Sequence, residues 1–392
     1  MTPSARVQAA IELLDEIIEA ARGRGAPADR LIAAYFKQRR YAGSKDRRAV
    51  RDLVYRAVRH CGPVPSSGRA AMLALADGDE SLGPLFDGSP HGPEPRIEGE
   101  RVAVEGLAPQ WLVEALEASD VTGETAAALL DRAPLDIRVN ALKASRETLR
   151  LPAPGEPLPT PNGIRFPTGT QVEQWPEYRD GLIEVQDCGS QLICEAVPAH
   201  SGETVIDLCA GAGGKTLALA ARFGNAISLI ACDTDKRRLG NLAPRAHRAG
   251  AAIDHTVLLD PAREMEALEG WRAKADHVLI DAPCSGSGTW RRNPESRWRL
   301  SPEELARLGA LQDHVLDLGA QLVRPCGTLT FAVCSVLDAE GADRIRSFFQ
   351  RHPQFTPEPP KGEPGTARGD GIRLDPYRDG TDGFFVAIAR CA

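Results

Sequence analysis

Thr204-Val-Ile-Asp-Leu-Cys209-Ala-Gly-Ala-Gly-Gly-Lys215-Thr216 is the stretch on which the reading of this chain turns. A short apolar run gives way to a loop of small residues, and that loop opens into a helical pattern. Glycines let backbone approach a ligand closely, and the first turn of the following helix offers unpaired amides. Strand, glycine-rich turn and helix together open a parallel α/β sheet. The pattern then repeats. Strands are expected at 204–208, 228–233, 255–260, 278–281 and 328–334 with helices between them, and Gly383-Phe-Phe-Val-Ala-Ile-Ala-Arg returns as a last strand. Ser301-Pro-Glu-Glu is a capping box with proline at the first helical position, so one of these helices starts there.

Outward from this region the character of the chain changes. Residues 106–200 read as a small α/β module, with a strand at Asp136-Ile-Arg-Val-Asn, a helix near 145–149 and short strands at 164–166 and 183–185. Residues 1–105 read as helical. The first helix carries Val7, Ile11, Leu14 and Ile18 on one face, a break falls at 23–28, and a third helix turns Val50, Leu53, Val54, Ala57 and Val58 inward. Residues 87–100 and 355–370 are rich in Gly and Pro and read as loops. The expected domains are therefore 1–105, 106–200 and 201–392.

Composition narrows the function classes. At 392 residues with 42% hydrophobic content, the chain exceeds one ordinary domain and can bury a sizeable core. It has no apolar run of about 18 residues and no apolar signal core, so no membrane span and a cytoplasmic location are expected. Nine cysteines are scattered without a Cys-x-x-Cys pair, which argues against zinc and against a disulfide framework. The net charge of −7 hides two basic clusters. From Arg30 to Arg59 ten Lys or Arg stand against two Asp, a local net of +8. From Arg291 to Arg299 there are four Arg to one Glu, with Trp290 and Trp298 interleaved. Phosphate binding follows such patches more than net charge, although a charged helix face is often only solvated.

Two nucleotide-type readings compete for the loop Cys209 to Thr216. A Walker-type phosphate loop is matched by Gly214-Lys215-Thr216, but its first position is Cys209 rather than Gly. The other reading is an S-adenosylmethionine (SAM) site, which requires acids at the ends of successive strands. Asp233, Asp260 and Asp281 stand there, and helix capping alone does not account for all three. The SAM reading is preferred.

A second motif, Asp281-Ala-Pro-Cys284-Ser-Gly-Ser-Gly-Thr-Trp-Arg291-Arg292, follows a buried strand. Phe331-Ala-Val-Cys334-Ser-Val ends another strand at the same edge. Two thiols and an acid beside a methyl donor suggest a definite reaction. Carbon 5 of cytosine is too poor a nucleophile to take a methyl group directly. A thiolate added to carbon 6 makes it enamine-like, a case of covalent catalysis. A free thiol with a pKa of about 8.5 is only slightly ionised at neutral pH, so local help is needed. Asp281 is placed to hydrogen-bond the base edge, and Cys284 is the candidate for helping remove the carbon 5 proton and release the enzyme.

At these residues the chain resembles the RsmB/Nop/Sun family of RNA 5-methylcytosine methyltransferases. The resemblance runs from about residue 108 to the end. Its carriers are Arg138-Val-Asn-Ala-Leu-Lys, Val185-Gln-Asp-Cys-Gly-Ser-Gln, the Gly-Gly-Lys-Thr loop, the Asp281 and Cys334 motifs, and Asp382-Gly-Phe-Phe. The amino-terminal helices, with Gly43-Ser-Lys-Asp-Arg-Arg and Leu53-Val-Tyr-Arg, resemble a shortened NusB-like RNA-binding domain. The resemblance implies a class I SAM-dependent methyltransferase domain with a Rossmann-like sheet, preceded by a small RRM-like α/β module and the helical domain. It implies that Cys209, Ala210, Gly211, Ala212, Gly213, Gly214, Lys215, Asp233, Asp260 and Asp281 contact SAM. It makes Cys334 the nucleophile and Cys284 the cysteine that assists release. Departures are Val333 where Thr is usual, Ala212 where Pro is common, and Cys188 where an acidic or small residue is usual.

The expected activity is thus formation of 5-methylcytosine in 16S rRNA through a covalent Cys334–cytosine carbon 6 adduct. RNA is the expected partner, with Arg47, Arg48, Arg291 and Arg292 on its phosphates, no metal, no membrane and a monomeric chain. The alternatives are the same chemistry on tRNA, a P-loop NTPase, and a catalytically silent RNA-binding protein.

Overall fold

A computed structural model of the chain describes residues 1–23, 25–359 and 364–392. Arg24, inside the expected break at 23–28, and residues 360–363, inside the expected loop at 355–370, lie outside the described residues. Two compact units emerge: Met1–Asp131 with Thr289–Pro302, and Arg132–Gly288 with Glu303–Ala392. The first boundary thus falls at 131 instead of 105. The small α/β module is part of the same unit as the large sheet.

The first unit is helical. Pro3–Gly23, Ala28–Gln38, Ser44–His60 and Gly68–Asp77 pack the expected apolar faces together, with Val7, Leu14, Val50, Val54 and Ala57 fully buried. Gly68 permits a close crossing, because a Cβ there would lie 2.2 Å from the Ile11 carbonyl oxygen. The surprise is the segment Thr289–Pro302, which the chain threads into this unit. Trp290 and Trp298 were expected among arginines on a nucleic-acid face, yet they are 0% and 4% exposed. Large aromatic rings gain more from leaving water than from flanking a solvated charge.

The arginines of this segment have correspondingly changed roles. Arg297 is fully buried and donates to the carbonyls of Val58 (2.6 Å), Cys61 (2.7 Å) and Pro294. Burial pushes its guanidinium pKa down to about 9. Trp298 Nε1 donates to the Gly62 carbonyl at 3.1 Å, Arg299 holds the Gly25 and Ala26 carbonyls, and Glu295 accepts from the Ala28 amide at 3.0 Å. Arg291, expected to hold RNA phosphate, is only 5% exposed and so offers phosphate little surface. Arg59 donates to its carbonyl at 3.1 Å. Arg292 is half-buried, while Arg47 and Arg48 are exposed on helix Ser44–His60.

Among its described residues the second unit holds two sheets. The larger has nine strands. Its parallel part runs, in spatial order, His255–Leu258, Ser228–Asp233, Thr204–Asp207, Ala275–Asp281 and Val323–Val333. Phe384–Cys391 pairs antiparallel with Val323–Val333, and further antiparallel strands extend that side. Val205, Ile206, Leu229, Ile230, Val278, Leu279 and Ile280 are fully buried, as continuous apolar strands covered on both faces must be. The chain order reverses between Thr204–Asp207 and Ala275–Asp281. The crevice at the carboxyl ends there is where ligands bind in such sheets. The smaller sheet is antiparallel and four-stranded, ordered Glu156–Pro157, Gly163–Phe166, Leu135–Val139 and Ile183–Val185. The expected helix near 145–149 is a pair of turns closed by the Leu149 amide on the Ser145 carbonyl.

Replacing Arg297 by Ala strips three buried carbonyls of their donor. Arg297→Ala is expected to lower stability by about 3 kcal/mol. A denaturant melt checks this, and an unchanged midpoint would show that Thr289–Pro302 is not a structural plug.

Candidate active site at the carboxyl edge of the parallel strands

The glycine-rich loop follows the first strand and enters helix Gly214–Arg222. Gly211 (φ 57°) and Gly213 (φ 87°) adopt left-handed conformations. These conformations favour glycine at both positions, and a Cβ would also press on side-chain ends, 2.3 Å from the Arg238 guanidinium at Gly211 and 2.1 Å from Leu242 at Gly213. The loop borders a cavity of about 240 Å³ lined by Asp207, Cys209, Lys215, Arg238 and Asp281 among others.

The acids of the expected site have distinct surroundings. Asp233 is 7% exposed, and its carboxylate accepts from the Gly211 amide (2.7 Å) and the Asp235 amide (2.7 Å). It therefore shapes the loop directly. Asp260 lies two residues beyond its strand, which ends at Leu258. Its side chain is 71% exposed and pairs loosely with Arg263 at 3.9 Å. Asp281 accepts from Lys215 Nζ at 2.6 Å, with Phe384 beneath the ammonium at 5.7 Å. Burial works against the Lys215 charge, but Asp281 and its hydrogen bond hold the ammonium above the ordinary lysine range. A phosphate-loop lysine must reach outward to an anion; this one is tied to a carboxylate of its own chain.

Asp207, not singled out in the sequence, completes the cavity. It is fully buried at the end of the first strand, where Thr216 Oγ1 donates to Oδ2 at 2.7 Å while buried Oδ1 has no partner among the described residues. Burial raises its carboxyl pKa to about 7. Its position at the end of strand Thr204–Asp207 is the sequence signal for such an acid. Arg238 and Arg245 were also missed. Arg245 donates to the Ala212 carbonyl at 2.7 Å and to Glu184 at 2.9 Å, tying the loop to the small sheet.

Cys284 and Cys334 come together with their sulfurs 3.2 Å apart. The hydrogen bond to Cys334, together with burial, pushes the Cys284 thiol well above its ordinary value. Burial likewise raises the Cys209 thiol, so that cysteine is a poor nucleophile. The two loops are stitched to each other. Gly288 N donates to the Cys334 carbonyl at 3.1 Å, and the Ser287 and Ser335 hydroxyls meet at 2.8 Å. Gly383 N donates to the Gly288 carbonyl at 2.8 Å; a Cβ on Gly288 would sit 1.9 Å from the Gly383 oxygen.

The remaining motifs are scaffolding. Buried Asp136 takes a two-pronged bond from Arg165 and a third from the Cys188 amide. Arg138 is buried against Gln186, and Asn140 bridges the Gly181 and Ala249 carbonyls.

Asp207 carries a pH signature. Its folded-state pKa is raised, so its stabilising protonated form is present at low pH and is lost as pH rises through about 7. Parent stability is therefore expected to fall relative to Asp207→Asn between pH 5.5 and 8, as read from paired melts. A constant difference would contradict the buried, unpaired Oδ1.

The chain is similar to several known proteins. The 16S rRNA methyltransferase RsmB/F family profile matches residues 195–390. A probable ribosomal RNA small subunit methyltransferase B of Bacillus subtilis is 32% identical over 308 residues, covering 74% of this chain and 68% of that protein. The ribosomal RNA small subunit methyltransferase B of Thermus thermophilus is 39% identical over 209 residues, covering 53% of this chain but only 50% of its own length. The crystal structure of PH0851 superposes with a TM-score of 0.73 at 23% identity, covering 99% of each chain. The glycine cradle, the orphaned Asp207 oxygen and the paired thiols thus find one home: the chain belongs to the RsmB/F family of methyltransferases, which draw their methyl group from S-adenosyl-L-methionine.

Proposed function

We propose that this chain methylates carbon 5 of a cytosine in small-subunit ribosomal RNA. The observation that carries the reading is the pair of thiols 3.2 Å apart beside the Lys215–Asp281 pair and the glycine-bordered cavity. The similarity to ribosomal RNA small subunit methyltransferases B of Bacillus subtilis and Thermus thermophilus supports rRNA as the substrate.

In this reading the loop from Cys209 through Lys215 and Asp207 hold the methyl donor. Asp207 is suited to the donor's positive charge because its buried oxygen has no other partner among the described residues. Asp233 fixes the loop, while for exposed Asp260, which pairs with Arg263, a contact with the donor rests on the family resemblance alone. The donor supplies a methyl group bonded to a sulfonium. The chain's own residues do the rest.

Cys334 attacks carbon 6 of the cytosine as a thiolate, and the electron pair this places at carbon 5 bonds to the methyl group, whose former bonding pair would stay on the donor's sulfur as a neutral thioether. Asp281, held by Lys215, hydrogen-bonds the base edge while charge develops on the ring. Release requires the carbon 5 proton to pass to solvent and its electron pair to re-form the ring double bond. The carbon–sulfur pair then returns to Cys334. Cys284, in contact with that sulfur, assists this step. Exposed Arg47 and Arg48, with half-buried Arg292, contact RNA phosphate in this proposal, and the target cytosine is single-stranded or flipped out.

The test is labelled methyl transfer to rRNA and to tRNA, with covalent complexes followed on denaturing gels. Cys334→Ala is expected to be inactive and to form no adduct. Cys284→Ala is expected to accumulate one, with turnover reduced at least about a hundredfold. An adduct that requires Cys284 and survives Cys334→Ala would reverse the roles. Label entering tRNA but not rRNA would overturn the substrate.

A further inference from the structure

Two identical thiols in contact pose a chemical problem, because only one of them is useful as the attacking sulfur. The answer lies behind the loop. Glu340 is fully buried six residues past Cys334 in the chain. Its carboxylate accepts from the Ser285 amide at 2.8 Å, from the Ser285 hydroxyl, and from Gln312 Nε2 at 3.1 Å. Gln312, also fully buried on helix Pro302–Leu322, donates as well to the Pro283 carbonyl at 2.9 Å. The residues on both sides of Cys284 are thus clamped by one carboxylate and one amide.

The clamp is asymmetric in charge. Among the described residues the groups that bind Glu340 are neutral, so its negative charge meets the Cys284 loop without a bound cation among them. A buried anion beside a thiol disfavours loss of that thiol's proton. A hydrogen bond from the Gly286 backbone favours the Cys284 thiolate, but Cys334, burial and Glu340 together outweigh it. Cys334 faces it from the end of strand Val323–Val333, and Asp281 in its own loop is paired with Lys215.

We propose that Glu340 is a positioning residue that sorts charge between the two thiols, keeping the proton on Cys284 and leaving the thiolate to Cys334. Its consequence for catalysis rests on the roles proposed above; the sorting itself is a property of the free protein. The direction of the Cys284 shift, to which Glu340 contributes after Cys334 and burial, is consistent with it.

Limited alkylation with iodoacetamide, without RNA or methyl donor, tests the idea. Peptide mass spectrometry then reads how label divides between Cys284 and Cys334. In the parent, Cys334 is expected to carry most of it. In Glu340→Gln the ratio of Cys284 to Cys334 label is expected to rise about tenfold, as one pKa unit requires. Glu340→Asp, which keeps the charge, is expected to restore the parent ratio, which a purely steric role would not do. An unchanged ratio in folded Glu340→Gln overturns the proposal. Should that variant not fold, Gln312→Lys sets a cation against the same carboxylate: a raised ratio supports the sorting and an unchanged one overturns it. A Cys334→Ala chain that still captures RNA would sink the catalytic roles instead, and the label ratio would still judge Glu340.

Discussion

Parallel strands deliver the loops that follow them to one edge, and most of this site depends on that constraint. The glycine loop after Thr204–Asp207 and the Cys284 loop after Ala275–Asp281 leave neighbouring strands at the point where strand order reverses. The Cys334 loop leaves the next strand over. A crevice opens there because the helices following the two central strands cross to opposite faces. Lys215 and Asp281, 66 residues apart, meet only because of this geometry.

The edge brings groups near one another; buried polar contacts then set their spacing. Asp233 spends its carboxylate on the glycine loop, and Glu340 spends its own on the cysteine loop. Such groups are costly to bury unless fully bonded, so their presence marks places where backbone position matters more than apolar packing. The same logic governs the helical unit, where Arg297 is buried among carbonyls to seat the segment that directly follows the cysteine loop in the chain.

Much of this was legible in the amino-acid sequence, and the misses have physical causes. Continuous apolar runs such as Val278-Leu-Ile identify parallel strands because both faces are covered. The cysteines proposed to react stand out because Cys284 and Cys334 lie just past strand ends, where function concentrates. Trp290, Trp298 and Arg291 misled because an arginine-and-tryptophan cluster reads alike whether it faces RNA or fills a core; only tertiary contacts decide. The third strand ends at Leu258, which leaves Asp260 exposed where a strand end was expected. Glu340 and Gln312 carry no periodic signature at all. Glu340 and its partner Ser285 are 55 residues apart, and no local pattern announces a contact at that distance.

The central claim is that Cys334 carries the attacking sulfur and Cys284 does not. It is tested most directly by trapping the adduct with RNA in which the target cytosine bears fluorine at carbon 5, which blocks the final loss of the ring proton. Digestion and mass spectrometry then locate the attached nucleotide. The account predicts it on the peptide containing Cys334. A nucleotide on the peptide containing Cys284 would contradict it.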